Sequence, residues 1–321
     1  MIILYKIDVI IPTYKPDRKF VQLIQMLAKQ TVPVHKIIIL NTEEKYFERL
    51  IYGTHFLDQY KNLIVYHHSV REFDHGKTRD KGVRCSDADI FVCMTQDAVP
   101  KDEHLIEELI KPFSDEKVAT VYARQLADEN AGVIERFTRE FNYPSQSVVK
   151  EKKDIEKLGI KTYFCSNVCA AYRRTAYDKV GGFIRYAIFN EDMIYAAAAI
   201  NHGYKVAYAA EAEVIHSHNY TNMQQFRRNF DIGVSQAQHP EVFASVPSEG
   251  EGMKLVKLTL EHLKQTRNKR KIPGFIINCG CKFLGYKLGK AYQMLPIALV
   301  LKCTMNKHYW EHAHHIVLQK R

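Results

Sequence analysis

The sequence predicts an α/β protein: a mainly parallel central sheet flanked by helices, followed by a C-terminal helical extension. Three observations carry this. Short apolar runs that read as buried strands alternate with segments of helical periodicity, as in Ile7–Pro12, then Phe20, Leu23, Ile24 and Leu27, then Lys36–Leu40. The run Ile90–Met94 is apolar throughout, as a strand covered on both faces must be. Beyond Thr221 the strand signals stop and the apolar residues recur only at helical spacing, on a basic background.

Ile7-Asp8-Val9-Ile10-Ile11-Pro12 reads as a first strand, and Thr13-Tyr14-Lys15-Pro16 as the loop after it. The helix and second strand that follow complete a βαβ unit, which requires parallel pairing. Leu63–Tyr66 is a third strand, and it leads into Asp74-His75-Gly76-Lys77-Thr78-Arg79, where a glycine and basic residues open a short helix. Such a start can present backbone amides to an anion, or be a solvated face. The central strand stops at Thr95-Gln96-Asp97 and is closed by Pro100. A carboxylate at a strand end can hold a divalent cation against a diphosphate, or only begin a turn.

Val118–Tyr122 is a further strand ending on Arg124-Gln125, residues 128–160 read as a polar, partly mobile insertion, and Tyr163–Tyr172 is strand-like. Asn190-Glu191-Asp192 opens a helix; its carboxylates suit either a cap or a general base. Lys205–Tyr208 and Glu213–Ile215 read as two short strands. The second delivers His216 and His218, whose i, i+2 spacing puts both on one strand face for hydrogen bonding or metal binding.

The 321 residues, 46% hydrophobic, are enough for a sizeable core with an appendage. Seven scattered cysteines without paired zinc spacing point to reduced thiols in a cytosolic compartment. The N-terminus lacks a secretory pattern, and no apolar run reaches the length of a membrane span. The net charge is +10, but Met253–Arg321 holds 14 Lys/Arg against Glu261 and Glu311, a local +12, and residues 1–252 carry −2. That asymmetry points to an anionic partner. Basic residues interleaved with short, Gly-interrupted apolar patches fit helices lying in a membrane interface; helices packed on the catalytic domain are the alternative.

In order, Ile11-Pro12-Thr13-Tyr14, Asn41-Thr42, the Asp74–Gly82 loop, Thr95-Gln96-Asp97-Ala98, Asn190-Glu191-Asp192 and His216-Ser217-His218 resemble a family 2 glycosyltransferase of the GT-A fold, over roughly residues 5–220. His75–Arg79, Tyr122–Gln125, Phe141–Pro144 and Phe164–Asn167 are similar in wording to its bacterial rhamnosyltransferase branch. The resemblance implies a Rossmann-like sheet in a catalytic domain over 1–222, with a basic helical region over 223–321. It implies that Pro12, Thr13, Tyr14, Asn41, Thr42, Asp74, Gly76, Arg79, Gln96 and Asp97 border the nucleotide, and that Arg124, Gln125, Ser166 and Asn167 line the sugar and acceptor pocket. Asp97 with His216, then His218, would hold Mg²⁺ or Mn²⁺, Asp192 would be the base and Glu191 its neighbour. The metal motif departs from the family's usual acidic pattern, having Thr95 at its first position.

The implied reaction is an inverting transfer of L-rhamnose from dTDP-L-rhamnose to a hydroxyl of a growing cell-surface polysaccharide or lipid-linked oligosaccharide. The enzyme is expected to be cytoplasmic and peripheral, on the inner membrane face through residues 253–321. A UDP-hexose donor is the nearest alternative. A nucleotidyltransferase would need a Gly-rich, basic N-terminal loop, which Ile11–Tyr14 is not. Nucleic-acid binding through the tail would draw on Phe275, Tyr286, Tyr292 and Trp310 for stacking; no nucleic-acid partner is expected.

Overall fold

Ile7–Tyr14 forms β1, with Ile7, Val9, Ile10 and Ile11 buried, because helices cover both faces of this part of the sheet. The computed structural model describes residues 5–218, 220–246 and 249–311, so the start of the chain and residues 312–321 of the basic tail lie outside the described residues. The helix Arg18–Leu27 starts at Asp17, whose carboxylate accepts the Lys19 N–H, and buries the four apolar positions that mark its inner face. β1 pairs in parallel with β2 (Lys36–Thr42), and β2 with β3 (Leu63–His68). β4 (Ile90–Met94), fully buried, pairs in parallel on the other side of β1.

β5 (Val99–Pro100), β6 (Val118–Leu126), β7 (Val148–Lys150), β8 (Cys169–Arg173) and β9 (Lys205–Ile215) complete a mixed sheet of order β3-β2-β1-β4-β8-β6-β9-β5, with β7 also on β9. β8 runs antiparallel between β4 and β6, whereas β6 and β9 are parallel. The sheet is therefore parallel where βαβ units build it and mixed where β8 enters.

Two expected elements differ. The strand read over Tyr163–Tyr172 begins only at Cys169, because the backbone before it bonds elsewhere: the Asn167 N–H donates to Asp192, and the Val168 carbonyl accepts from Thr95. The two strands read before His216 are one, β9; a bulge absorbs residues 210–212, so that Ala123 pairs with Ala209 and Arg124 with Glu213. The stretch 128–160 contributes both a helix, Val133–Asn142, and β7.

The contacts divide the chain into two compact units. The first comprises residues up to Asp128, Tyr143–Arg185 and Glu191–His216; the second comprises Glu129–Asn142, Tyr186–Asn190 and the chain from Ser217 onward. The short segments join the second unit through specific contacts. Phe137 stacks on His262, and Ser235 bonds both the Asn190 side chain and the Phe189 carbonyl. In that unit the helices Asn222–Gln238 and Ile272–Lys290 pack backbone to backbone. A Cβ at Gly285 would sit 2.2 Å from the Phe226 carbonyl oxygen and one at Gly289 2.1 Å from that of Phe230, so only glycine fits there.

Candidate active site

The parallel strands β1, β2 and β3 end on a polar ladder. The Thr13 hydroxyl donates to Asn41 Oδ1 (2.9 Å), Asn41 Nδ2 lies 2.9 Å from His67 Nδ1, and the Thr42 hydroxyl 2.9 Å from His68 Nε2. Thr13, Asn41 and Thr42 are buried, and Tyr14 stands 45% exposed at the rim, edge-on to Tyr46. Gln96 clamps this rim: its Oε1 accepts the Tyr14 N–H (2.8 Å) and its Nε2 donates to the Tyr14 carbonyl (3.0 Å). Pro12 precedes this set on β1, half-buried. Gln96 thus positions Tyr14, a role that residue type alone did not reveal.

The helix His75–Arg84 is capped by Asp74, whose carboxylate accepts from the Lys77 N–H at 2.7 Å. Gly76 lies in its first turn against the Ile184 carbonyl, where a Cβ would come within 1.8 Å. Arg79 points inward, bonds the His75 carbonyl and pairs with Glu191 (Nη1 to Oε1, 3.1 Å), both side chains being buried. Its Nε has no hydrogen-bond partner among the described residues. Burial opposes the Arg79 charge, but the Glu191 carboxylate raises its pKa nonetheless.

Glu191 and Asp192 open the helix Glu191–Asn201. Asn190 precedes them with φ 64°, a left-handed turn that asparagine tolerates better than most residues. Asn167 holds both carboxylates: its N–H donates to Asp192 Oδ2 (2.8 Å) and its Nδ2 to Glu191 Oε1 (3.0 Å). Asp192 Oδ1 accepts the Met193 N–H. The two acids are driven apart. For Glu191, burial favours the neutral form, but Arg79 and the Asn167 bond outweigh it and hold the pKa low. For Asp192, burial and the neighbouring Glu191 charge push the pKa up to about 7, against the two backbone N–H bonds it accepts.

At the end of β4, Asp97 Oδ2 lies 3.6 Å from His216 Nε2. His216 Nδ1 lies 3.1 Å from Gln125 Oε1, whose Nε2 in turn donates to Tyr143 and, at 3.0 Å, to Ser166 Oγ. Gln125 thus fixes the orientation of the His216 ring, with Nδ1 on the amide oxygen and Nε2 turned to Asp97. The Thr95 hydroxyl beside them is buried without a partner among the described residues. His218, stacked on Tyr220, belongs to the second unit. Arg124 is taken up by Glu213 (3.0 Å) and the Tyr143 carbonyl, and braces the β6–β9 bulge.

Sequence reasoning missed Lys150. This residue, 2% exposed on β7, donates to the Phe164 carbonyl (2.6 Å), the Lys161 carbonyl (2.9 Å) and the Tyr122 hydroxyl (3.2 Å). It thereby fixes the turn that leads into Ser166 and Asn167. Burial lowers its pKa to about 7.

One path therefore joins the predicted residues of the first unit, from Asp97 and His216 through Gln125 to Ser166, whose neighbour Asn167 grips Asp192 and Glu191, and on to Arg79. Such carboxylate-bearing ends on this sheet define a glycosyltransferase of the GT-A fold. The family model for glycosyl transferase family 2 matches residues 8–181, and the chain belongs to that family. It is 40% identical over 307 residues to the O-antigen chain rhamnosyltransferase RfbN of Salmonella typhimurium, covering 95% of this chain and 96% of that one. It is 39% identical over 304 residues to the O-antigen chain rhamnosyltransferase WbaN of Salmonella anatum, covering 94% of each. The mannosyltransferase PcManGT from Pyrobaculum calidifontis, solved in complex with GDP-Man and Mn²⁺, shares the fold, with a TM-score of 0.55 at 12% identity over 99% of this chain and 88% of that one.

Proposed function

We propose that this glycosyltransferase moves L-rhamnose from dTDP-L-rhamnose to a hydroxyl of a growing, lipid-linked polysaccharide, with inversion at the anomeric carbon. The names of the two rhamnosyltransferases similar to it along nearly its whole length support the sugar and the acceptor class. The observation that carries the chemistry is the grip of Asn167 on Asp192 beside the charged Glu191–Arg79 pair.

In this reading Asp192 is the base. The acceptor oxygen attacks the anomeric carbon as its proton passes to the Asp192 carboxylate; the carbon–oxygen bond to the diphosphate breaks, and its electron pair leaves with the nucleoside diphosphate. A base with a pKa near 7 is matched to neutral pH. Thr13, Tyr14, Asn41, Thr42 and Asp74 border the nucleoside. Gln125, Ser166 and Asn167 face the sugar, while Glu191 keeps Arg79 charged and in place.

A divalent cation fits the Asp97–His216 pair. One hard oxygen and one imidazole nitrogen, 3.6 Å apart with the other ring nitrogen directed to Gln125, are a donor set that Mn²⁺ or Mg²⁺ accepts. The chemistry such an ion supplies is neutralisation of charge on the departing diphosphate. We place the enzyme at the cytoplasmic membrane face, held by its basic tail.

The test is transfer from dTDP-rhamnose, UDP-glucose, UDP-galactose and GDP-mannose to a lipid-linked acceptor. dTDP-rhamnose is expected to be the productive donor. Asp192→Asn should lose on the order of 10²–10⁴-fold in kcat while still binding nucleotide. Substantial turnover by that variant removes Asp192 from its role.

A further inference from the structure

The second unit carries an apolar face that its own packing leaves uncovered. The helix Ile272–Lys290 uses one side for the close crossing described above, with Tyr286, Gly285 and Gly289 buried. Its outer side shows Ile276, Ile277, Phe283 and Leu284, each between 54% and 58% exposed. Their spacing of seven and eight residues aligns them as one stripe. Gly280, between them, has nothing within 4 Å of its Cβ position, so the stripe is open along its middle.

Charge frames this stripe. The helix has no acidic residue, and it ends on Lys287 and Lys290. Lys287 Nζ lies 5.6 Å from the centre of the Phe283 ring and 3.5 Å from Glu249 Oε1, a carboxylate at that end. Before its first turn, Lys264, Arg267, Lys269, Arg270 and Lys271 line an open cleft of about 700 Å³ to which no acidic residue contributes. No described helix is long and apolar enough to cross a membrane. An apolar stripe with cations at both ends suits a surface that is hydrophobic below and anionic above, and a bilayer of acidic lipid has that profile.

We infer that the Ile276, Ile277, Phe283 and Leu284 face is the membrane-docking surface of the enzyme, inserting into an anionic lipid leaflet with the 264–271 cleft on the headgroup phosphates. This deepens the membrane reading of the tail given above and rests on it. The stripe lies parallel to the bilayer, and Lys287 and Lys290 reach up to the headgroups from its far end.

Vesicle co-sedimentation of the full chain tests this. Vesicles of phosphatidylcholine with about 30 mol% phosphatidylglycerol are expected to bind it at least tenfold more tightly than pure phosphatidylcholine. Phe283→Ser with Leu284→Ser should weaken that binding by about tenfold or more at low and high salt alike. Lys269→Glu with Arg270→Glu should remove the preference for the anionic lipid. Both pairs are surface changes, and both should leave transfer to a soluble acceptor unchanged. If the parent chain binds no vesicle, the membrane reading of the tail fails and the inference with it. If the parent binds and the Phe283/Leu284 variant binds equally well, membrane association stands and this face is overturned. Tighter binding to a single-stranded oligonucleotide than to the anionic vesicles overturns it as well, in favour of a nucleic-acid surface.

Discussion

Asp192 and Glu191 are adjacent carboxylates with opposite titration, and the difference comes from their partners. Glu191 pairs directly with a buried guanidinium at 3.1 Å, whereas Asp192 accepts only backbone N–H bonds and feels Arg79 less than it feels its own burial and the charge of Glu191. The base must be deprotonated to act, so kcat/KM should rise with pH through about 7 and level off above it. Glu191→Gln removes the neighbouring negative charge while its carbonyl still accepts from Asn167. The rising limb should then move to lower pH by at least about half a unit, as the repulsion that raised Asp192 disappears. A limb that stays in place would mean that Glu191 does not tune the base. Asp192, Asp97 and His216 were legible in the sequence because each sits where an apolar run stops or a helix starts, which residue order reveals. Lys150 was not: two of its three acceptors are the Lys161 and Phe164 carbonyls, and nothing in Val148-Val149-Lys150 marks them. Gln96 was read as a nucleotide contact, yet its amide is spent on the Tyr14 backbone.

The helix His75–Arg84 shows how one element serves both packing and site. The glycine at its start reads in the sequence as room for a phosphate, but the structure also gives it a packing reason: the Ile184 carbonyl oxygen occupies the place of a side chain. Gly82, further along, lies 2.4 Å (from its Cβ position) from an Ile10 methyl, so the helix rests directly on β1. Because a neighbouring carbonyl cannot yield as a flexible side chain would, Gly76→Ala should tilt the helix start and displace Arg79 from Glu191. The expected result is a loss of about 1–3 kcal/mol in stability and weaker nucleotide binding, read by thermal unfolding with and without donor. An unchanged melting temperature would show that Ile184 moves aside freely. The helix Ile272–Lys290 teaches a related lesson. Its glycines read as interruptions, yet it runs unbroken, because Gly285 and Gly289 admit the neighbouring backbone.

Across the whole chain, the parallel half of the sheet was legible because βαβ periodicity dictates it, whereas the antiparallel insertion of β8 depends on distant partners that no local pattern announces. A second molecular property follows from buried acids in both units. Asp192 in the first and Asp231 in the second are each pushed by burial to about 7, from an ordinary value of 3.8. Asp231 fixes the turn after the helix Ile297–Cys303, accepting from the Thr304 hydroxyl (2.6 Å) and the Met305 N–H (2.9 Å). Between pH 4 and 7 the folded chain holds these protons and the unfolded chain does not. Each acid therefore adds stability that is full below pH 4 and is lost as pH rises to 7, by up to about 1.4 kcal/mol per pH unit. His68, lowered by burial, acts in the opposite sense as pH falls through its range, and Lys150, lowered by burial to about 7, does so as pH rises past 7, whereas His104, raised by its bond to Glu107, acts with the two acids. Thermal unfolding of the full chain should accordingly show greater stability at pH 5.5 than at pH 7.5, by on the order of 2–4 °C per kcal/mol. Asp231→Asn carries no titrating proton, so it should flatten that slope, whatever its effect at any single pH. Equal slopes for the variant and the parent would show that Asp231 is ionised in the fold at neutral pH without cost, and that its bonds to Thr304 and Met305 compensate its burial in full.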